Sequence, residues 1–256
     1  MKITRQLSVL ALLPAMFGLL AGCATMVRTD LVEYNRSTEC VVLLHGLNRS
    51  WRTMAKFAES LQQNGFSTAN VDYPSSTATI EVLAPMVVNE GLHKCRLTGA
   101  TTIHFVTHSL GGILLRYAQS HEPIPDLGRV VMLGPPNQGS EVIDKMRNWP
   151  GIGIISGEAG LQLGTDADSI PSQLGPVDFE LGIIAGTGTT NPFMSALMLP
   201  EEDDGKVTVA RTRVEGMDEF KVVSDSHFAM MKSDSIMEAT ARFLRSGSFM
   251  DSAAAE

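Results

Sequence analysis

The sequence predicts an α/β domain: a mostly parallel central sheet with helices on both faces and a short cap-like insertion. Three observations predict it. Short, unbroken apolar runs such as Val41-Val42-Leu43-Leu44 mark strands covered on both faces. Stretches with apolar residues at helical spacing separate these runs, which calls for crossover connections and hence parallel pairing. The length left after an N-terminal leader, 256 − 22 = 234 residues, suits one such domain with a sizeable core.

The first strand is Cys40-Val41-Val42-Leu43-Leu44, ending at His45-Gly46. Trp51, Met54, Phe57, Ala58 and Leu61 then mark one face of a helix over Trp51 to Gln63, stopped by Asn64-Gly65. A strand around Thr68 to Tyr73 leads into a helix near Thr79 to His93, where Pro85 should kink the helix or mark its real start. Thr102 to Thr107 reads as a strand, Leu110 to Gln119 as a helix and Arg129 to Leu133 as another strand. Leu181 to Ala185 and Phe220 to Val223 complete the strands, and Phe228 to Leu244 is a closing amphipathic helix. Val142 to Pro176 breaks the rhythm, with Gly151, Gly153, Gly157, Gly160 and Gly164 scattered among Trp149, Ile152, Ile154, Ile155, Leu161 and Leu163. It reads as a loop-rich, cap-like insertion at about 142–178 in a catalytic domain spanning 39–246. Residues 247–256 read as a frayed tail.

At the N-terminus, Lys2 and Arg5 precede an apolar run from Leu7 to Ala21 that closes on Leu20-Ala21-Gly22-Cys23. A charged start, a short apolar middle and small residues at the end describe a secretory signal peptide over residues 1–22. The run falls short of the roughly 20 residues a bilayer core needs, and Pro14 and Gly18 interrupt it. Its last four residues resemble the lipobox of bacterial lipoproteins, in which the cysteine thiol is diacylated and becomes the new N-terminus. That resemblance implies lipid attachment at Cys23 and a membrane as partner through the anchor. With Ala24 instead of Asp after the cysteine, it implies the outer membrane of a bacterial envelope. The alternative to this lipobox reading is an ordinary signal peptide with an incidental cysteine. Polar residues 23–38 then suit a tether.

Cleavage would remove Lys2 and Arg5, so the net charge of −8 becomes −8 − 2 = −10. No basic run remains, which argues against a nucleic-acid partner. Cys40 and Cys95 would lie in an oxidising compartment, each at or a few residues before the start of a predicted strand. Neighbouring strands would put both on the sheet edge away from the catalytic one. A disulfide between them is expected, two separate free thiols being the other reading.

A serine hydroxyl needs a histidine to take its proton, a carboxylate to orient that histidine, and donors for the oxyanion. Ser109, in Thr107-His108-Ser109-Leu110-Gly111, lies between a predicted strand and a predicted helix, where a sharp turn would present its side chain at the carboxyl edge. The motif is G-x-S-x-G with Thr107 replacing the first glycine. A helix N-cap would explain the serine but not the strand before it or Gly111-Gly112 after it. Backbone N–H donors in such an architecture come from the residue after the nucleophile, here Leu110, and from a loop after an earlier strand. His45-Gly46-Leu47 is that loop, with Gly46 letting the backbone turn and Leu47 the expected donor; His45 reads as pinning the loop. The base must come late in the chain, and His227 in Ser226-His227-Phe228 fits; His93, His104 and His121 read as structural or surface residues. For the acid, Glu201-Glu202-Asp203-Asp204-Gly205 offers four carboxylates. Asp204 is preferred because Gly205 relieves crowding beside it, Asp203 is the runner-up, and Asp225 is a local alternative. No cluster of His, Cys or carboxylates has metal-ligand spacing, and no cofactor is implied.

Taken in order, these segments resemble the lipase and esterase group of the α/β-hydrolases, from Val41 to about Leu244. The carrying segments are Val41 to Leu47, Thr107 to Gly112, Gly134-Pro135-Pro136-Asn137-Gln138-Gly139-Ser140, Asp204-Gly205-Lys206-Val207 and Ser226-His227. In related lipases an Asp-Gly-x-Val segment supplies the triad acid, which implies Asp204. The Pro-Pro-Asn-Gln-Gly-Ser segment resembles a loop beside the cleft and implies a shaping role. The resemblance implies hydrolysis of a carboxylic ester or lipid through an acyl-serine. A thioesterase or acyltransferase would use the same triad, and a non-catalytic envelope-binding lipoprotein is the rival from another class. The apolar insertion reads either as a cap exposing an apolar surface to lipid or as a fixed wall.

Overall fold

The computed structural model describes residues 27–32 and 37–251. The leader and Cys23 lie outside the described residues. Among the described residues, seven strands form one sheet: β1 (Arg28–Val32), β2 (Glu39–Leu44), β3 (Ser67–Asp72), β4 (Thr102–His108), β5 (Leu127–Leu133), β6 (Leu181–Gly188) and β7 (Glu219–Ser226). Their spatial order is β1-β3-β2-β4-β5-β6-β7. β1 runs antiparallel to β3, and every other neighbouring pair is parallel.

Helices cover both faces, as the unbroken apolar strands require. On one face, Val42 and Leu44 of β2 pack with Ile103 and Phe105 of β4 under α2 (Ile80–Leu97) and α3 (Leu110–His121). On the other, Val41 and Leu43 pack with Val106 and Val131 under α1 (Ala55–Gln63) and α9 (Asp234–Ser246). The alternation along β2 is the period of two that a pleated strand imposes. The insertion after β5 holds α4 (Glu141–Met146), α5 (Ile152–Leu161) and α6 (Ile170–Gln173). Two further short helices, α7 (Pro192–Met198) and α8 (Val209–Thr212), lie in the long connection from β6 to β7.

Four elements differ from the sequence reading. Arg28–Val32 is an edge strand where a tether is expected. Its pairing with β3 satisfies backbone groups and needs little apolar pattern, since only Leu31 of the strand packs on the core. Pro85 neither starts nor ends α2, which runs unbroken over 18 residues. The proline removes one N–H, while Leu83, Ala84, Val87, Val88 and Leu92 stay buried and hold the helix together. The closing helix is interrupted: a 3-10 turn at Met230–Lys232 is separated from α9 by the extended Ser233, φ −81° and ψ 117°. The start of the tail is not frayed. Phe249 is buried against Phe243, ring centroids 4.9 Å apart, and its N–H donates to Glu219 Oε2 at 2.6 Å.

Cys40 and Cys95 form a disulfide with Cα atoms 5.6 Å apart. Cys95 lies in the last turns of α2, not at a strand start, so the bridge ties helix to sheet and not strand to strand. The half-cystines are 55 residues apart in sequence. A loop of that length restricts the unfolded chain by about 4 kcal/mol in the chain-entropy account. Reduction should therefore lower the thermal midpoint by many degrees, and intact-mass measurement should show no alkylatable thiol at these positions before reduction. Two alkylated thiols in unreduced protein would contradict the bridge.

Candidate active site

The carboxyl ends of the parallel strands share one edge, the usual binding edge of an open α/β sheet. Gly46-Leu47 follows β2, Ser109 follows β4, Gly134 follows β5, and His227 follows β7. Asp204 arrives from the connection between β6 and β7.

Ser109 has φ 53° and ψ −121°, a conformation that L residues avoid and that costs on the order of 1–3 kcal/mol. It is held from both sides. Its N–H donates to Leu133 O at 2.9 Å, and α3 begins at the next residue. The turn closes only because Gly111 lacks a side chain: a Cβ there would lie 2.6 Å from Leu44 O. Thr107, the departure from G-x-S-x-G, fits because Gly112 leaves room, a Cβ at 112 standing 3.2 Å from Thr107 Oγ1. The Ser109 side chain makes no capping bond to α3, so a helix cap is not its role.

His227 and Asp204 are paired in the interior. Nδ1 of His227 lies 2.7 Å from Asp204 Oδ2, with the two side chains 5 % and 1 % exposed. The other Asp204 oxygen accepts from the N–H groups of Lys206 and Val207, both at 2.9 Å. The His227 N–H donates to Asp204 O at 2.9 Å, so backbone as well as side chains join the two loops. Gly205, at φ 94°, makes that loop possible. Asp203 points elsewhere: its carboxylate accepts from Ser195 Oγ and, at 2.6 Å, from the Gly205 N–H. Glu201 and Glu202 are exposed.

Ser109 and His227 line one cavity of about 210 Å³, together with Leu47 and, from the insertion, Val142, Ile152 and Leu163. Among the described residues no direct hydrogen bond joins the Ser109 hydroxyl to His227; in unliganded hydrolases this contact is often loose. The loop after β2 passes close by. A Cβ on Gly46 would lie 3.1 Å from Ser109 Cβ and 2.8 Å from His108 Nδ1, so closeness, not a left-handed turn, demands glycine here. Asn48 takes the positive φ instead, 55°, its N–H donating to Ser75 Oγ and its Nδ2 to Ile155 O. His45 pins this loop: its ring stacks on Tyr73 at 4.1 Å, and Tyr73 Oη donates to His45 O at 2.5 Å. The Pro-Pro-Asn-Gln-Gly-Ser loop lies beside the cavity. Asn137 is held by Arg116, Ser140 Oγ donates to Lys206 O at 2.8 Å, and Pro136 and Ser140 line the wall.

His93 and His121 are exposed, and His104 is buried under the Arg129 N–H, far from this edge in the strand. Sequence reasoning missed two residues. His108 Nε2 donates to His227 O at 2.9 Å, and its ring lies 4.6 Å from the His227 ring. Gly134, at φ 52°, lies where a Cβ would fall 2.8 Å from Asp204 Oδ2 and 3.1 Å from His227 Nδ1. The available signals were position alone: a histidine directly before the serine, and a glycine directly after a strand.

Neither a protein-family model nor a curated protein sequence matches the chain. Solved structures do. The lipase BlEst2 of Bacillus licheniformis in its mature form superposes with a TM-score of 0.68 at 20 % identity, over 86 % of this chain and 97 % of that one. The phospholipase PlaB of Legionella pneumophila gives 0.62 at 17 %, over 80 % of this chain and 57 % of that one. The enol-lactonase of Burkholderia xenovorans LB400 gives 0.55 at 14 %, over 86 % and 96 %. With the sheet order and the covered faces described above, the chain has the α/β-hydrolase fold.

Gly134→Ala should disrupt the Asp204–His227 pair, by steric intrusion and by the strain of a left-handed alanine. The measurable outcome is a stability loss of roughly 1–3 kcal/mol with any hydrolytic activity reduced.

His45, His104 and His108 each have a pKa below the usual 6.5, in every case chiefly because burial disfavours the charged form. For His108 the nearby His227 adds to the depression. A lowered histidine pKa in the folded state means that the unfolded chain binds more protons below about 6.5. Stability is therefore full above about pH 6.5 and falls as pH drops toward the folded pKa values, by up to about 1.4 kcal/mol per pH unit for each neutral histidine. Denaturant midpoints between pH 7.5 and 5 test this, before most carboxylates titrate; a flat profile would contradict it.

Proposed function

We propose that this chain is a serine carboxylic-ester hydrolase working through an acyl-Ser109 intermediate. One observation carries the reading: a serine strained on a strand-to-helix turn lines the same cavity as a histidine whose Nδ1 is held by a buried carboxylate. With Nδ1–H donating to Asp204, the lone pair of His227 is on Nε2, the position of a general base. Nε2 takes the Ser109 proton as Oγ bonds to the acyl carbon, and returns it to the leaving alkoxide as the ester C–O bond breaks. Water, deprotonated by the same nitrogen, then releases the free acid and regenerates the serine. The backbone N–H groups of Leu47 and Leu110 are the assigned oxyanion donors. Support comes from Gly46, which brings that loop against Ser109, and from Leu110 as the first residue of α3.

The insertion acts as the acyl wall. It is tied to the body by Asn48 Nδ2 to Ile155 O at 2.6 Å, the Ala159 N–H to Ala78 O at 3.2 Å, and Gly157, where a Cβ would meet Ser76 O. Trp149, Ile154 and Ile155 of the insertion and Phe193 and Leu197 of α7 are exposed, Ile155 also lining the cavity. Such an apolar surface favours lipid-like substrates. The printed names of the Bacillus and Legionella structures, a lipase and a phospholipase, accord with that class. We place the enzyme on a bacterial envelope membrane through lipid at Cys23. The tether is then short, because β1 begins at Arg28, at most about 18 Å of extended chain from Cys23. Among the described residues no helix is long and apolar enough to cross a membrane.

A fluorophosphonate probe should label the wild-type protein covalently and leave Ser109→Ala unlabelled. Asp204→Asn should slow labelling by roughly 10²–10⁴-fold, through loss of the histidine orientation. Equal labelling of wild type and Ser109→Ala would overturn the nucleophile.

A further inference from the structure

We propose that the cavity holding Ser109 is built for esters carrying a phosphate group on the alcohol side, recognised by Arg49 and Lys206. The inference rests on the hydrolase reading above and adds its substrate class. Both cations line the cavity with Ser109 and His227, and no Asp or Glu lines it. This runs against the composition, in which 28 acidic residues outnumber 20 basic ones. Among the described residues neither cation has a carboxylate within 4.0 Å, so both charges are free to meet an anion in the cavity.

The two cations are also located and not merely exposed. Arg49 lies over the Phe228 ring, 4.2 Å from its centroid. Lys206 is clamped through its backbone, its N–H on Asp204 Oδ1 at 2.9 Å and its carbonyl accepting from Ser140 Oγ at 2.8 Å. Phe228 adjoins the base in sequence, and Lys206 follows two residues after its acid partner. Arg49 lies in the loop after β2 and Lys206 in the connection from β6 to β7, so both charges border the cavity from the body of the domain and not from the insertion. The insertion supplies the opposite character, with Val142, Ile152 and Leu163 as apolar wall for the acyl chain. A planar guanidinium offers paired donors to phosphate oxygens, and an ammonium adds a point charge. Together they match a group of about −1 to −2 charge. Hydrolysis of such an ester by water breaks the acyl C–O bond and yields a fatty acid and a phosphorylated alcohol.

The test compares 1-octanoylglycerol 3-phosphate with 1-octanoylglycerol, which share the acyl chain and differ in the phosphate. Free octanoate is measured for each, both as monomers and in neutral detergent micelles. The wild-type enzyme should favour the phosphate ester by about tenfold in kcat/KM, less at high salt. In R49Q/K206Q that ratio should fall to near one, and the charge-conserving R49K/K206R should retain most of it. Preference for monomers would mark a soluble phosphorylated ester as the source, and preference in micelles a lipid head group; either supports the site. A ratio near one in the wild type, with 1-octanoylglycerol cleaved, overturns this inference and leaves the hydrolase reading standing. A preference undiminished in R49Q/K206Q overturns the assignment to these residues. Absence of both cleavage and fluorophosphonate labelling overturns the hydrolase reading itself.

Discussion

The structure turns on a single backbone constraint, the left-handed conformation of Ser109 at the junction of β4 and α3. An L residue adopts it only when its surroundings leave no alternative. Here they are the parallel pairing of β4 with β2 and β5, the bond from the Ser109 N–H to Leu133 O, and α3 pressed so closely on β2 that a Cβ on Gly111 would lie 2.6 Å from Leu44 O. The buried faces of α2 and α3 supply the packing that keeps this approach closed. A strained turn in the middle of the sheet is thus upheld by the largest apolar cluster in the domain.

Around that turn, the other site residues are brought in by loops from four different strands. Each arrives through a local device of its own. Gly46 yields space to His108, Gly134 yields it to the Asp204–His227 pair, and Gly205 allows the loop that presents Asp204. The pair is doubly fastened, side chain to side chain and backbone to backbone, which limits how far His227 can move. His108 fixes the His227 carbonyl from below while remaining neutral through burial, so it adds no competing charge. The edge combines an apolar wall from the insertion with two unpaired cations, a division suited to an ester with unlike ends.

Much of the fold was legible because strand and helix periods leave direct marks in the sequence. Each sheet strand from β2 to β7 coincides with a predicted strand, within a few residues at its ends. β1 was illegible because an edge strand can be stabilised by backbone pairing with few apolar side chains. Pro85 misled because local propensity is weaker than the burial of a long helix face. Phe249 looked like tail because a single buried aromatic has no period to reveal it. At the site, Ser109, Asp204 and His227 could be singled out by order and by neighbouring glycines, and the structure brings them to one edge.

By itself the sequence determined the class of the sheet, the strand-to-helix turn at Ser109, and the chain order in which a base and an acid could reach it. Only the tertiary structure showed that Asp204 faces His227 while Asp203 faces Ser195, since adjacent carboxylates differ solely in which way the loop turns them. It also decided that Cys95 meets Cys40 from a helix, that His108 and Gly134 belong beside the pair, and that Arg49 and Lys206 share one cavity. These are contacts between residues far apart in sequence or with no periodic pattern. Their geometry exists only once the sheet has closed.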